Sequence, residues 1–252
     1  MALTDKLSAI GNAIREKNGT TELIPLVDMP QAILDLSGDG GANVFWNAYQ
    51  DNGNRVDYLT AFAGVGWNED VFKPRYDIKP TNAYMLFSAS KINGDLVEIL
   101  AKQGVVLDTS KATNTQYLFS NSLFTRIGVV DVTSSTNSTQ TDAMCRSCTN
   151  LTRFEKLVVN EKTKFATNTF NGCSALEYVG FAGVGETDTP MPVISNSLYL
   201  QHSPLLNAEC VQGIIAHLAT VATAQTLTLH PSVVVSDAQK SEISSKGWTL
   251  VQ

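Results

Sequence analysis

The sequence predicts an α+β fold: a repeat solenoid with a short parallel sheet, preceded by an N-terminal helical hairpin and closed by a C-terminal α/β cap. Three observations predict it. Segments of one pattern recur about every 25 residues through the middle of the chain, residues 1–37 carry two short amphipathic helical patterns, and residues 207–252 alternate helix and strand signals.

The opening supplies the hairpin. Residues 4–16 set Leu7, Ile10, Ala13 and Ile14 on one helical face, with Thr4 as the N-cap. Asp28 caps a second helix over 29–36, and Pro30 sits in its first turn, where a missing N–H costs nothing. Ile33 and Leu36 then face the first helix. Two helices of this size bury too little apolar surface to stand alone. Residues 1–37 therefore read as a docking module whose contact residues are Leu7, Ile10, Ile14, Ile33 and Leu36, and the glycine-rich stretch 38–44 reads as its linker.

Residues 45–206 hold the repeat. A large or soft residue recurs at Phe62, Phe87, Phe119, Cys145 and Phe170, with gaps of 25, 32, 26 and 25. Three positions on comes a small one, Ser90, Ser122, Cys148 and Cys173, and then an apolar run: Phe124-x-x-Ile127-x-Val129, Leu151-x-x-Phe154 and Leu176-x-x-Val179-x-Phe181. A period near 25 with L-x-x-L-x-L spacing is the signature of leucine-rich repeats, in which each turn contributes one short strand to a parallel sheet. The long gap accommodates an insertion, 91–104, that reads as a short helix through Leu96, Ile99 and Leu100.

Alternation within the strand motif assigns the two faces. With Phe124, Ile127 and Val129 inward, Arg126 and Gly128 point out, as do Arg153 and Glu155 in the next unit and Tyr178 and Gly180 in the one after. These six residues form the expected partner-binding patch. On this reading the side chains of Arg153 and Tyr178 are exposed, and replacing them leaves the melting temperature nearly unchanged.

The end of the chain supplies the cap. Asn207 begins a helix over 208–218 with Val211, Ile214, Ile215 and Leu218 on one face. A strand over 226–229, a helix over 236–245 and a strand over 248–251 follow. Such a block covers the core that the last coil of a solenoid otherwise exposes.

Composition and motifs exclude several chemistries. With 18 Lys plus Arg against 24 Asp plus Glu, the chain repels a phosphate backbone, so nucleic acid is not an expected partner. No window approaches 18 continuous apolar residues, and nothing after Met1 reads as a signal peptide. Folding in a cytosol is thus expected, with Cys145, Cys148, Cys173 and Cys210 reduced. Cys145-x-x-Cys148 lacks a second pair or a nearby histidine, and its cysteines occupy repeat positions, so we read them as packed thiols without metal. His202, His217 and His230 read as surface or cap residues. Gly64-x-Gly66 lacks the third glycine of a dinucleotide loop, and no G-x-S-x-G elbow occurs. Neither an enzyme nor a cofactor is expected.

The segments TFNGCSALEYVGF, MCRSCTNLTRFEKLVV and 203–252 resemble BspA-like leucine-rich-repeat proteins of phages and prophages, and 51–87 is similar to the early region of the same proteins. Residues 3–36 resemble a short helical module at the start of many phage tail and baseplate proteins. The resemblance implies a parallel-sheet solenoid in a virion, in a structural or host-binding role, with no catalytic residues to carry over. The first unit, at Phe62 and Phe87, departs from the pattern by lacking a clear L-x-x-L strand.

Two functions follow as expectations. One is a tail or baseplate component of the virion, docked on other virion proteins through the N-terminal helices, presenting the repeat face to a host surface protein or glycan, with a homo-oligomer as a further expected assembly. The other is a bacterial cell-surface adhesin that binds host proteins, which a secretion signal and a wall anchor would favour.

Overall fold

The computed structural model of the chain describes residues 11–12, 77–90, 92–135 and 137–252. Leu7, Ile10, Ile14, Ile33 and Leu36, the linker 38–44 and the Phe62 unit lie outside the described residues. Among the described residues the chain forms two three-stranded parallel sheets with short helices beside them.

The first sheet follows an inserted helix. Helix α1, Leu96–Gln103, starts because the Asp95 carboxylate accepts from the N–H groups of Val97 and Glu98 at 2.7 and 3.2 Å, and it stops at Gly104, whose φ of +66° allows the left-handed cap. Strands β1, Arg126–Asp131, β2, Arg153–Val158, and β3, Tyr178–Ala182, then pair in chain order. A one-turn helix α2, Ser138–Thr141, closed by a capping box between Asn137 and Gln140, separates the first two strands.

Opposite the strands, the turns of successive units stack in register. Tyr117, Phe119 and Asn121 donate their N–H groups to the carbonyls of Asp142, Met144 and Arg146 at 2.7–3.1 Å, as Met85, Phe87 and Ala89 do to Gln116, Leu118 and Ser120. Cys145 and Ser147 donate in the same way to Thr169 and Asn171. Each turn is tight enough to need left-handed backbone, at Met85 and Ala89, at Tyr117 and Asn121, at Ala143 and Ser147, and in the last unit at Gly172. In the last unit that residue is glycine, where a Cβ would press on the Ser147 backbone at 3.3 Å.

Between turns and strands lies an aromatic spine. Phe87 stacks on Phe119 with ring centres 5.6 Å apart, and Phe119, Phe154 and Phe170 follow edge to face at 6.4 Å. All four are buried. Each such pair adds about 0.5–1.5 kcal/mol to what burial contributes, so the recurring Phe ties one unit to the next.

The inward positions differ from simple alternation in β1 and β2. Phe124, Ile127 and Val130 point into the core, whereas Val129 is 53% exposed; the expectation that Val129 faces inward is corrected. In the next unit the inward residues are Leu151 and, in β2, Phe154 and Leu157, with Glu155 and Lys156 both outside. Each strand therefore carries one extra outward residue, and β1 and β2 carry it at the same place, Val129 opposite Lys156. β3 does not, since Val179 and Phe181 are two apart, so the register shifts between Phe154 and Leu157.

The second sheet runs β4, Leu198–Leu200, β5, Gln225–Leu229, and β6, Trp248–Val251. Helix α3, Ala208–His217, begins at Asn207, whose side chain accepts from Cys210 N–H, and α4, Asp237–Ser245, begins at the Ser236–Gln239 capping box. Strand β4, only three residues long, has no periodicity to announce it. It makes the C-terminal block strand-helix-strand-helix-strand instead of the helix-strand-helix-strand expected.

Helix α3 also closes the first sheet. Asn207 N–H donates to Glu177 O at 2.9 Å, continuing the row in which Glu177 N–H donates to Thr152 O. One turn on, Cys210 Sγ lies 3.4 Å from Val179 N and 3.6 Å from Val179 O, so a thiol meets the free edge of β3.

Candidate interaction face

The outward face of β1–β3 is bounded by α1 on one side and α3 on the other. Arg126, Arg153 and Tyr178 are pairing partners in one row across the three strands. Adjacent arginines would repel each other, and Glu155 resolves the conflict by accepting from both, from Arg153 Nε at 3.0 Å and from Arg126 Nε. Arg126 also reaches Asp95 at 3.1 Å, the carboxylate that caps α1. Arg153 reaches toward Glu209 in the first turn of α3 at 3.9 Å. The result is a ladder of alternating charge, Asp95, Arg126, Glu155, Arg153 and Glu209, spanning the sheet from one flanking helix to the other.

The two guanidinium groups are held but not covered. The side chains of Arg126 and Arg153 are 40% and 38% exposed, and hydrogen bonds to Glu155 and then Asp95 raise the pKa of Arg126 further above its ordinary value. The Arg153 guanidinium also lies 3.9 Å over the ring of Tyr178. Burial of that phenol, followed by the nearby Glu209 charge, raises its pKa.

The structure thus brings Arg126, Arg153, Glu155 and Tyr178 together, half-buried and mutually engaged. The expectation that Arg153 and Tyr178 are freely exposed is corrected, and so is that for Gly180. Gly180 is buried: the bulge of β2 pushes the Glu155 carbonyl oxygen onto it, and the Tyr178 ring lies over it. Gly128 is half-buried, 3.1 Å from a Val97 methyl as measured from where its own Cβ would stand. Beside it an open apolar hollow of about 420 Å³ is lined by Leu96, Val97, Leu100, Val106 and Val129. The sequence reading missed Asp95, Glu209 and Lys156 on this face. The signal for Asp95 was its place before a helix, and for Lys156 its alignment with Val129.

The cysteines lie in the core. Cys148 Sγ donates to Phe119 O at 3.0 Å and Cys173 Sγ to Cys145 O at 2.9 Å, so each thiol stitches its own unit to the preceding one. Burial, then the contact with Cys148, holds Cys145 well above the usual thiol range; the contact with Cys148, then burial, does the same for Cys173. Hydrogen bonds from Cys145 and Cys173 pull Cys148 the other way against burial. Its bond to the Phe119 carbonyl needs the thiol hydrogen, so we take the neutral form as the resting one. Burial pushes Cys210 up to about 11. Among the described residues no group of three or more His, Cys, Asp or Glu side chains could hold a metal ion, and no helix is long and apolar enough to cross a membrane.

His217 is buried at the end of α3, in the C-terminal block, while His202 is exposed and His230 half-exposed. The chain matches no protein-family model, no curated protein and no solved structure.

Proposed function

We propose that the chain is a non-enzymatic interaction protein, a leucine-rich-repeat solenoid whose β1–β3 face is presented to a partner, and that it serves as a bacteriophage tail or baseplate component. The observation that carries the interaction reading is the charge ladder. Five charged side chains from four segments are aligned across one sheet face, with two partly exposed arginines and a tyrosine, side-chain types favoured at interfaces. The ladder satisfies its own charges while leaving N–H groups open to water, which suits recognition of a polar partner surface.

The solenoid reading is supported by the in-register stacking of turns, aromatic rings and thiols from successive units. The placement in a tail or baseplate rests on the resemblance of residues 3–36 and of the C-terminal segment. In this reading residues 1–37 dock on other virion proteins and the ladder meets a host surface protein or glycan. Deleting residues 1–37 tests the assignment: the shortened chain should be missing from purified particles that incorporate the full chain. Equal incorporation of both would overturn it.

A further inference from the structure

The loop between β3 and β4 is tied to α3 by a buried pair, Glu186 and His217, whose side chains are 9% and 8% exposed. The hydrogen-bond geometry fixes how many protons the pair holds. His217 Nδ1 lies 2.6 Å from the carbonyl oxygen of Gly213, which can only accept, and Nε2 lies 2.8 Å from Glu186 Oε1. The other carboxylate oxygen, Oε2, accepts from the N–H groups of Gly183 and Met191 at 2.8 and 3.0 Å. A neutral imidazole carries one hydrogen and so satisfies one of its two oxygen neighbours. The arrangement therefore contains one proton more than a neutral ring beside a carboxylate. The ring is the better place for it, because it stands in the last turn of α3, where the helix dipole favours a cation, and because Oε2 is already committed to two N–H donors.

We propose that the Glu186–His217 pair is a proton-dependent clasp: while the extra proton is present it holds the 183–191 loop closed on α3, and its loss to solvent as pH rises releases the loop. Removing either ring hydrogen leaves a nitrogen lone pair facing an oxygen at 2.6 or 2.8 Å in a site nearly closed to water, a repulsion that the closed geometry does not relieve. Among the described residues Glu186 is the one charged group paired with the ring, and the ring is the one charged group paired with Glu186; Gly183, Met191 and Gly213 contribute backbone groups. The far end of the loop is held separately, by the Ile194–Leu218 bridge, so release concerns its middle, which carries the exposed Val184 and Met191. Opening the clasp would change an apolar surface next to β3 without unfolding either sheet.

An isosteric change gives the test. In Glu186→Gln the amide oxygen can accept from Gly183 and Met191 while the amide N–H donates to Nε2 of a neutral ring, so the same loop is held with no extra proton. Backbone amide exchange of the full chain, read at Gly183 and Met191 and corrected for intrinsic rates, should show protection that falls at least tenfold between about pH 5 and about pH 9. In Glu186→Gln the corrected protection should stay flat across that range. Flat protection in the wild type, or a parallel fall in both proteins, overturns the proposal. Independently of the variant, ¹⁵N chemical shifts of the His217 ring should report two protonated nitrogens wherever the loop is protected. A single neutral tautomer in the closed state overturns it as well.

Discussion

The Arg153 guanidinium lies 3.9 Å above the Tyr178 ring, in the row where β2 pairs with β3. The stack joins the charge ladder to the sheet, because the same guanidinium donates to Glu155 and the same ring covers Gly180.

Replacing both Arg153 and Tyr178 by Ala should therefore cost stability as well as binding. Loss of the stack and of the contact over Gly180 amounts to roughly 1–2 kcal/mol, or about 2–8 °C in a chain of this size. Calorimetry checks the first effect, and partner or host-cell binding, expected to weaken by about 1–4 kcal/mol if these are hot-spot residues, checks the second. An unchanged melting temperature would show that the stack does not persist in solution.

Gly180→Ala isolates the bulge. A Cβ at this position overlaps the Glu155 carbonyl oxygen, which belongs to a paired backbone and cannot swing away. The cost expected is about 1–3 kcal/mol. Gly128→Ala, two strands away, meets only a Val97 methyl at 3.1 Å and should cost well under half as much. Urea midpoints of the two variants compared side by side decide the matter, and equal midpoints would mean that the β2 carbonyl can move.

Much of this organisation was legible in the sequence, and the failures have physical causes. The recurrence of Phe87, Phe119 and Phe170 located three of the four spine rings, because one side chain per unit fills the same slot, while the fourth ring, Phe154, comes from β2 in the unit where that slot holds Cys145. The cap at Asn207 located α3, because a short polar side chain before an apolar helical period has few other uses, whereas Ser236, read as the first residue of a helix, proves to be the cap of α4. Strict alternation misplaced Val129 because a bulge adds a residue to two of the three strands, and hydrophobicity alone cannot distinguish Val129 from Val130. Lys156 held the answer, since a charge aligned with Val129 forces both outward. Gly180 was misread for a related reason: its burial depends on a carbonyl from the neighbouring strand, a contact that no pattern within one unit encodes. The pairing of Glu186 with His217, separated by 31 positions, left no local trace at all.

The thiols should be inert. All four cysteines are buried, and burial raises Cys210 and contributes to raising Cys145 and Cys173, so the nucleophilic thiolate is suppressed at those three. A thiol reagent at neutral pH should find no reactive group in the native protein and four after unfolding in denaturant. Stoichiometric zinc in purified protein, or fast labelling of Cys148 alone, would contradict this.

Acid should weaken the fold partly through Glu186. Burial raises the pKa of this carboxyl, but the N–H groups of Gly183 and Met191 and the ring of His217 outweigh it and leave it below its ordinary 4.5. A depressed carboxylate contributes stability that is fully present above the unfolded value and is lost as pH falls through the folded one. The advantage that wild type holds over Glu186→Gln at about pH 5, where the clasp is closed, should therefore shrink below about pH 4. Denaturation midpoints across that range measure it, and a gap that widens in acid would reverse the sign.

The register of β1 can be tested with two neighbouring substitutions of one kind. Val129 is 53% exposed beside Lys156, at the mouth of the apolar hollow, while Val130 is fully buried opposite Leu157. Val129→Lys places an ammonium where the next strand already carries one, with water on one side, so repulsion is screened and the cost should stay within about 0.5–1 kcal/mol. Val130→Lys drives the same group into the apolar core beside Leu157. Burying an unpaired charge is among the few single changes that exceed about 4 kcal/mol, so this variant should unfold or be recovered only as aggregate. Circular dichroism and thermal melts on the pair give the answer at once. If Val129→Lys proves the damaging member and Val130→Lys the tolerated one, β1 follows simple alternation and carries no bulge. The outward position opposite Lys156 would then be Val130, and the charge ladder would have to be redrawn from Arg126 onward.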